Sequence, residues 1–233
     1  MEAEQQEHQA KLKRRQAQRD AGKKSRGKDP EPPQEGPRDS DQVSLTDEDS
    51  RIMPVSGGGF EQSYNAQAAV DTETMLVIVP HVSQSPNDKR EVLPVLDELS
   101  ALPQSLGQVK AMLADTGYCS EANVPHCHAH QIEPILAMSR DSHHLPVLER
   151  FAPDAPAPES EDPVLKMAHR LKTKAGRALY GLRKQTVEPV FGIIKHVMGW
   201  RQMSMRGLDK AQGEWALVTL AWNVKRLHVL RAA

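Results

Sequence analysis

An aspartate at the end of a short apolar run is the first residue whose type and position could do chemistry. The run predicts a buried strand over 109–115 that ends on Asp115, and Thr116-Gly117-Tyr118 then turns the chain toward a helix. Because ligands of α/β proteins bind at the carboxyl ends of strands, Asp115 is a candidate catalytic or metal-binding residue. The alternative is a turn residue that caps the following helix, and the local sequence supports both equally.

A second carboxylate, Glu188, lies in a basic helical region. Only three acidic residues follow position 164, against 14 Lys and Arg. We interpret Glu188 either as a metal ligand with phosphate-binding cations beside it, or as an ion-paired helix residue that contributes little to stability. Its neighbours on the helix, within two turns, are Tyr180, Arg183, Lys184, Phe191, Gly192 and Lys195.

Two carboxylates of this kind indicate a reaction class. Phosphoryl transfer on DNA uses Mg²⁺, which prefers carboxylate oxygens and water as ligands. Two such ions about 4 Å apart activate the attacking oxygen and stabilise the leaving one. Asp115 and Glu188 serve this chemistry if the fold brings a strand end to a helix face. Neighbouring Lys and Arg side chains then hold the DNA backbone.

The distribution of charge supports a polyanionic partner. The 233 residues include 30 Lys plus Arg and 31 Asp plus Glu, but the net charge is −2 over residues 1–50, −10 over 51–164 and +11 over 165–233. A polyanion such as DNA is the expected partner of the basic third. No apolar run reaches 18 residues, the first residues lack a signal-like apolar segment, and there are two cysteines. These features predict a cytoplasmic protein without a membrane span or a disulfide framework.

The elements that must position these residues follow an α/β order. Apolar stretches at 66–70 and 75–82, separated by a polar turn, predict a hairpin. The elements expected after it are a helix at 92–99, the strand at 109–115, a helix at 120–130, a strand at 132–137, and helices at 164–171, 176–200 and 211–230.

Two segments fall outside this pattern. Residues 1–50 are polar, first basic and then acidic and rich in Pro, so they bury too little apolar surface to offset the entropy of ordering. We expect a frayed helix and a linker there, with the folded domain in 51–233. Residues 139–164 hold several Pro and carboxylates and predict a loop or an insertion.

Five blocks of the sequence, in this order, carry a resemblance to a known family. They are Thr46-Asp47-Glu48-Asp49-Ser50-Arg51, Tyr64-Asn65-Ala66-Gln67-Ala68-Ala69-Val70-Asp71, Asn87-Asp88, Leu113-Ala114-Asp115-Thr116-Gly117-Tyr118 and Tyr180-x-x-Arg183-x4-Glu188-x-x-Phe191-Gly192-x-x-Lys195. Together they resemble bacterial insertion-sequence transposases of the DDE class. The resemblance implies an RNase H-like α/β core, a mixed sheet flanked by helices, with a helical C-terminal region. It also implies Mg²⁺ or Mn²⁺, cleavage and strand transfer of double-stranded DNA, a homodimer, and a bacterial, nucleoid-associated location.

Carried over residue by residue, the resemblance implies that Asp115 and Glu188 are the second and last catalytic carboxylates and bind the metal. Four residues separate Arg183 from Glu188 where the commoner family pattern has three, which weakens the match of Arg183 more than that of Glu188. The DNA contacts expected from the signature are Tyr180, Arg183, Lys184 and Lys195.

The first catalytic Asp of the family has no direct match. Relatives carry it in an Asp-Gly-Thr strand ahead of a polar helical stretch, and this sequence has such a stretch at 1–28 but no Asp-Gly-Thr. Asp71 is a weaker substitute because it ends the first strand of the predicted hairpin. The sequence therefore predicts the C-terminal part of a DDE enzyme, without its first strand and first metal ligand and with impaired catalysis.

Two other functions stay open at this point. The basic region 165–233 could make the chain a non-catalytic DNA-binding remnant, which binds transposon DNA or interferes with a full-length relative. The same core could also belong to a nuclease. If the chain binds DNA but shows no reaction that depends on Glu188, it is the non-catalytic remnant. If it cleaves DNA but does not join the ends, it is a nuclease.

Overall fold

The computed structural model describes residues 43–55, 57–139 and 152–232, together with ten single positions between 8 and 32. The chain divides into two compact units, Met1–Gln42 and Val43–Ala233. In the first unit, the described positions between 8 and 20 are helical, and Arg15 and Arg19 form ion pairs with Asp29. Part of the predicted loop at 139–164, residues 140–151, lies outside the described residues, and residues 152–162 form no helix or strand.

Two hairpins open the second unit. Strands β1 (Arg51–Pro54) and β2 (Phe60–Ser63) are antiparallel, and the glycines 57–59 between them have φ between 93° and 99°, which side chains other than glycine rarely tolerate. Strands β3 (Asn65–Val70) and β4 (Val77–Ser83) form the hairpin that the sequence predicts. The first hairpin is not predicted, because its strands are mostly exposed and lack an apolar alternation.

A strand–helix–strand unit follows. Helix α1 (Val92–Ser100) leads to strand β5 (Ala111–Ala114), helix α2 (Asn123–Ala129) and strand β6 (Glu133–Leu136), and β5 and β6 are parallel. The described strands thus form three two-stranded ladders with both parallel and antiparallel pairing. The predicted α/β class is confirmed.

Three helices complete the chain: α3 (Pro163–Lys172), α4 (Lys174–His196) and α5 (Leu208–Ala232). Asp162 caps α3 and Thr173 caps α4, each through a hydrogen bond from a backbone N–H of the first turn. Helix α4 ends earlier than the predicted residue 200, because the chain turns through Gly199 with φ of 79°. Within α4, Pro189 removes a backbone hydrogen bond directly after Glu188.

The main core joins β4 to α4 and α5. Its buried residues are Val77, Val82, Val190, Ile194, Ala211, Trp215 and Trp222. Amide side chains of α5 also bind the backbone of β4: Gln212 accepts from the Val82 N–H at 2.7 Å, and Asn223 accepts from the Val77 N–H at 2.8 Å. Helix α5 therefore satisfies polar groups along β4 as well as covering its apolar face.

The corner between α3 and α4 requires a glycine. A Cβ atom on Gly176 would lie 1.9 Å from the carbonyl oxygen of Arg170, whereas a Cβ on Gly181 of the same helix would meet nothing within 4 Å. We expect Gly176→Ala to lower the free energy of unfolding by about 1–3 kcal/mol. Gly181→Ala is the matched control and should raise it by roughly 0.5–1 kcal/mol, since Ala favours helix. Urea unfolding of both variants checks this prediction. A Gly176→Ala variant with the same free energy of unfolding as the wild type contradicts it.

His81 links β4 to both ends of α1 through two carboxylates, one on the N-cap residue Glu91 and one on Glu98 in the last turn. Its Nε2 lies 3.3 Å from Glu91 Oε2 and its Nδ1 lies 2.7 Å from Glu98 Oε1. The bond to Glu91 raises the pKa of His81; burial opposes the shift and Glu98 adds to it. The folded protein therefore binds this proton more tightly than the unfolded chain, in which His titrates near ~6.5.

The stability that His81 contributes should be fully present below about pH 6.5 and lost as the pH rises through the raised pKa. We expect the free energy of unfolding, measured in urea, to fall across this window in the wild type and to fall less in His81→Gln. The exposed His128 of α2 provides the control, since His128→Gln should keep the wild-type pH dependence. Identical curves for His81→Gln and the wild type would refute the assignment.

Candidate functional site

Asp115 stands at the carboxyl end of β5, where the sequence places it. Its Oδ1 accepts a hydrogen bond from the Gly117 N–H at 2.8 Å, and its side chain is 46% exposed. One oxygen thus holds the turn and the other, Oδ2, is directed to a partner on another element. The bond to Gly117 makes Asp115 a turn residue, but the predicted capping of the next helix is wrong, because α2 begins at Asn123 with Ala122 as its N-cap. The exposed side chain of Asp115 is compatible with the candidate-ligand interpretation.

Arg183 of α4 brings Asp115 and Glu188 together. Its Nη1 lies 3.8 Å from Asp115 Oδ2 and its Nη2 lies 3.4 Å from Glu188 Oε1. The guanidinium carbon lies 5.7 Å from the centre of the Tyr180 ring, and only 17% of the Arg183 side chain is exposed. Two carboxylates far apart in the sequence therefore face a single cation.

Asp88 is not among the predicted site residues, yet it lies beside Asp115. A Cβ atom on Gly117 would lie 3.0 Å from Asp115 Oδ1 and 3.1 Å from Asp88 Oδ2, so a side chain at 117 would crowd both carboxylates. Asp88 Oδ1 accepts hydrogen bonds from Asn65 at 2.9 Å and Gln67 at 3.0 Å. The sequence could have indicated this arrangement, because each of these residues lies in one of the five blocks that resemble the family.

The predicted DNA-contact residues on α4 differ in exposure. Lys184 and Lys195 are exposed and share a helical stripe with Glu188, and Lys195 Nζ lies 5.7 Å from the centre of the Phe191 ring. Tyr180 and Arg183 are half-buried, and Arg183 is directed to the carboxylates. The freely accessible positive charge around Glu188 is therefore that of the two lysines.

Asp71 occupies a different place, the turn between β3 and β4. Its Oδ2 accepts hydrogen bonds from the backbone N–H of Thr74 at 2.7 Å and from Thr74 Oγ1 at 2.5 Å, and its own N–H donates to the Leu76 carbonyl. These contacts are those of a turn-forming Asp. Asp115, Arg183 and Glu188 therefore lie together, whereas the side chain of Asp71 is hydrogen-bonded within its own hairpin.

Two aspartates of the first block hold the beginning of α5. Asp47 accepts hydrogen bonds from the Tyr64 hydroxyl at 2.7 and 2.8 Å and from the Gly207 N–H at 3.2 Å. Asp49 accepts from the N–H of Leu208, the first residue of the helix, at 3.0 Å. Burial and the bond to Asp47 raise the pKa of Tyr64 to about 12. Negative charge is favourable at a helix N-terminus, so these acids have a structural role.

The donor set at Arg183 suits a hard cation. Asp115 and Glu188 offer partly exposed carboxylate oxygens, and Mg²⁺ is commonly held by one or two carboxylates together with water and substrate phosphates. Among the residues that the structure describes, no group of three or more His, Cys, Asp or Glu side chains is arranged around one point for a metal. Any ion here would therefore take much of its coordination from water or substrate.

A comparison with known protein families covers this group of residues. The family described as "Transposase DDE domain" matches residues 39–224, a range that contains Asp115, Glu188 and every predicted DNA-contact residue. The chain belongs to the DDE transposase family. The family predicted from the sequence blocks is thus confirmed. No curated protein and no solved structure matches the chain.

Membership of the DDE transposases carries general consequences. Enzymes of this family act on DNA as nucleases and transferases and use a divalent metal, so DNA is the substrate class. In the described part of this transposase, no helix is long and apolar enough to cross a membrane.

Proposed function

We propose that this DDE transposase cleaves DNA strands and transfers them to target DNA, with Asp115 and Glu188 as ligands of Mg²⁺ or Mn²⁺. The observation that supports this most is the guanidinium of Arg183, which lies within 4 Å of both carboxylates. A strand end and a helix face thus place one carboxylate each beside the same guanidinium, and carboxylate oxygens are the ligands that Mg²⁺ prefers. The proposal includes an RNase H-like core, to which the β3–β4 hairpin and the β5–β6 pair contribute.

The test of this function uses the full chain and duplex DNA that carries the terminal repeats of the element. Strand cleavage followed by joining to target DNA, with Mg²⁺ and not with a chelator, supports the proposal. Cleavage without joining favours a nuclease with the same core. Binding of the DNA ends without any cleavage favours a non-catalytic role.

That non-catalytic role is the second candidate, because only two carboxylates contact Arg183 in the described residues. Family resemblance assigns three carboxylates to a DDE centre. We propose as this second candidate that the chain binds transposon DNA, or interferes with a full-length relative, without cleaving DNA.

The proposed contacts to DNA are Tyr180, Arg183, Lys184 and Lys195, and the two lysines are the exposed members of this set. Because phosphate contacts are independent of sequence, Lys184→Ala and Lys195→Ala should each weaken binding to all duplexes alike. Each should also reduce the slope of log affinity against log salt concentration by about 1. The exposed Lys110, which precedes β5 and lies outside the basic third, supplies the control, and Lys110→Ala should leave the slope unchanged. Fluorescence anisotropy over a series of salt concentrations measures both the DNA affinity and the slope for each variant.

A homodimer in the bacterial cytoplasm, associated with the nucleoid, completes the proposal. An apolar row on α5 supports the dimer, since its residues are 47–66% exposed and follow the 3–4–3 spacing of paired helices. Sedimentation of the wild type and of Leu220→Glu tests it, and a monomer at all concentrations overturns it. The row consists of Leu217, Leu220, Val224 and Leu227.

A further inference from the structure

Arg183 is a cation that already lies between the two carboxylates proposed to take a metal. Its two terminal nitrogens face different partners, Nη1 toward Asp115 and Nη2 toward Glu188. Its side chain is 17% exposed, whereas those of Asp115 and Glu188 are 46% and 59% exposed. A mostly buried guanidinium therefore contacts two carboxylates that are about half exposed to solvent.

The contacts that hold this guanidinium are long. Charge-assisted N–H···O bonds are usually about 2.7–2.9 Å, and those of Arg183 measure 3.8 and 3.4 Å. Within the described residues, its Nε is buried without a hydrogen-bond partner, and the Tyr180 ring lies beside the guanidinium. Arg183 is thus placed by packing rather than fixed by a closed set of hydrogen bonds, and its head group can move.

Resting on the proposed metal function, we infer that Arg183 is the counter-cation of the metal-free site and that a divalent cation displaces it. Without metal, the guanidinium half neutralises two carboxylates that would otherwise repel each other. A divalent ion neutralises both and repels the guanidinium, so the two cations compete. By linkage, a residue that stabilises only the metal-free state lowers the affinity for the metal.

A Mn²⁺ titration of the full chain tests this competition, with free Mn²⁺ followed by electron paramagnetic resonance. Arg183→Gln should bind Mn²⁺ about fivefold or more tightly than the wild type. Lys184→Gln removes an exposed cation at the next position and should change the affinity about twofold at most. Equal affinities for Arg183→Gln and the wild type overturn the inference.

Asp115→Asn separates this inference from the function on which it rests. Strong loss of Mn²⁺ binding in Asp115→Asn places the titrated ion at the proposed site, and the Arg183→Gln comparison then decides the inference. Mn²⁺ binding that does not change in Asp115→Asn overturns the proposed metal function itself.

A measurement on the folded wild type covers the case in which Arg183→Gln does not fold. The Nε–Hε resonance of Arg183, assigned by its absence in Arg183→Lys, reports on the buried Nε. Displacement exposes this group, so saturating Ca²⁺ should shift the resonance and speed its exchange with water. A resonance that stays unchanged at saturating Ca²⁺ shows that Arg183 keeps its place and contradicts the inference.

Discussion

Asp115→Asn and Glu188→Gln should each reduce Mg²⁺-dependent DNA cleavage by about 100-fold or more while leaving DNA binding close to that of the wild type. Mutation of groups that only orient a metal ligand already lowers metal affinity or activity about 10- to 100-fold. Removal of the charge of a ligand itself is therefore expected to reduce activity at least as strongly. Both replacements are nearly isosteric, and both carboxylates are about half exposed, so the fold should persist.

Asp209→Asn is the matched control for this prediction. Asp209 is exposed in the first turn of α5, in the same basic third of the sequence, and belongs to no group around Arg183. Cleavage rates are compared at saturating Mg²⁺ on the terminal-repeat duplex, with DNA affinity measured in Ca²⁺. If Glu188→Gln cleaves like Asp209→Asn, then Glu188 is an ion-paired helix residue and not a ligand.

Local pattern was enough to predict much of the fold. The β3–β4 hairpin, the strands β5 and β6 and the three C-terminal helices all follow from apolar spacing, since each buries one face against a core. The parallel pairing of β5 with β6 is visible only in the structure. Pro94, which stands at the third position of α1, does not break that helix because the first turn needs no donor there. The hairpin at 51–63 escaped prediction because its strands bury almost nothing.

Contacts between distant segments could not be read from local pattern. The type and place of Asp115 and Glu188 marked them as candidates, but nothing local shows that Arg183 stands between them. The same holds for Asp88, whose carboxylate is oriented by amides of β3. Each of these arrangements depends on side chains that meet only after tertiary packing, which periodicity does not encode.

Trp215→Ala should lower the free energy of unfolding by about 3–5 kcal/mol, the range found for large aromatic residues removed from a core. Trp215 is fully buried, stacks on Phe191 at 5.6 Å and on Trp200 at 5.0 Å between ring centres, and donates a hydrogen bond to the Gln67 carbonyl at 2.7 Å. Val229→Ala on the same helix, at a side chain 53% exposed and outside the apolar row, should change stability by about 0.5 kcal/mol or less. Urea unfolding distinguishes them, and similar losses for both variants contradict the prediction.

Trp215→Phe separates the packing of this residue from its hydrogen bond. Phenylalanine keeps an aromatic ring but leaves the Gln67 carbonyl without its donor, which costs about 1–3 kcal/mol when the group is buried. Gln67 also orients Asp88, and Phe191 follows Glu188 by one turn of α4. The indole of Trp215 therefore supports both sides of the carboxylate site. At temperatures where Trp215→Phe is fully folded, its Mn²⁺ affinity should still fall below that of Val229→Ala, because Gln67, which orients Asp88, and the part of α4 that carries Glu188 lose a common support.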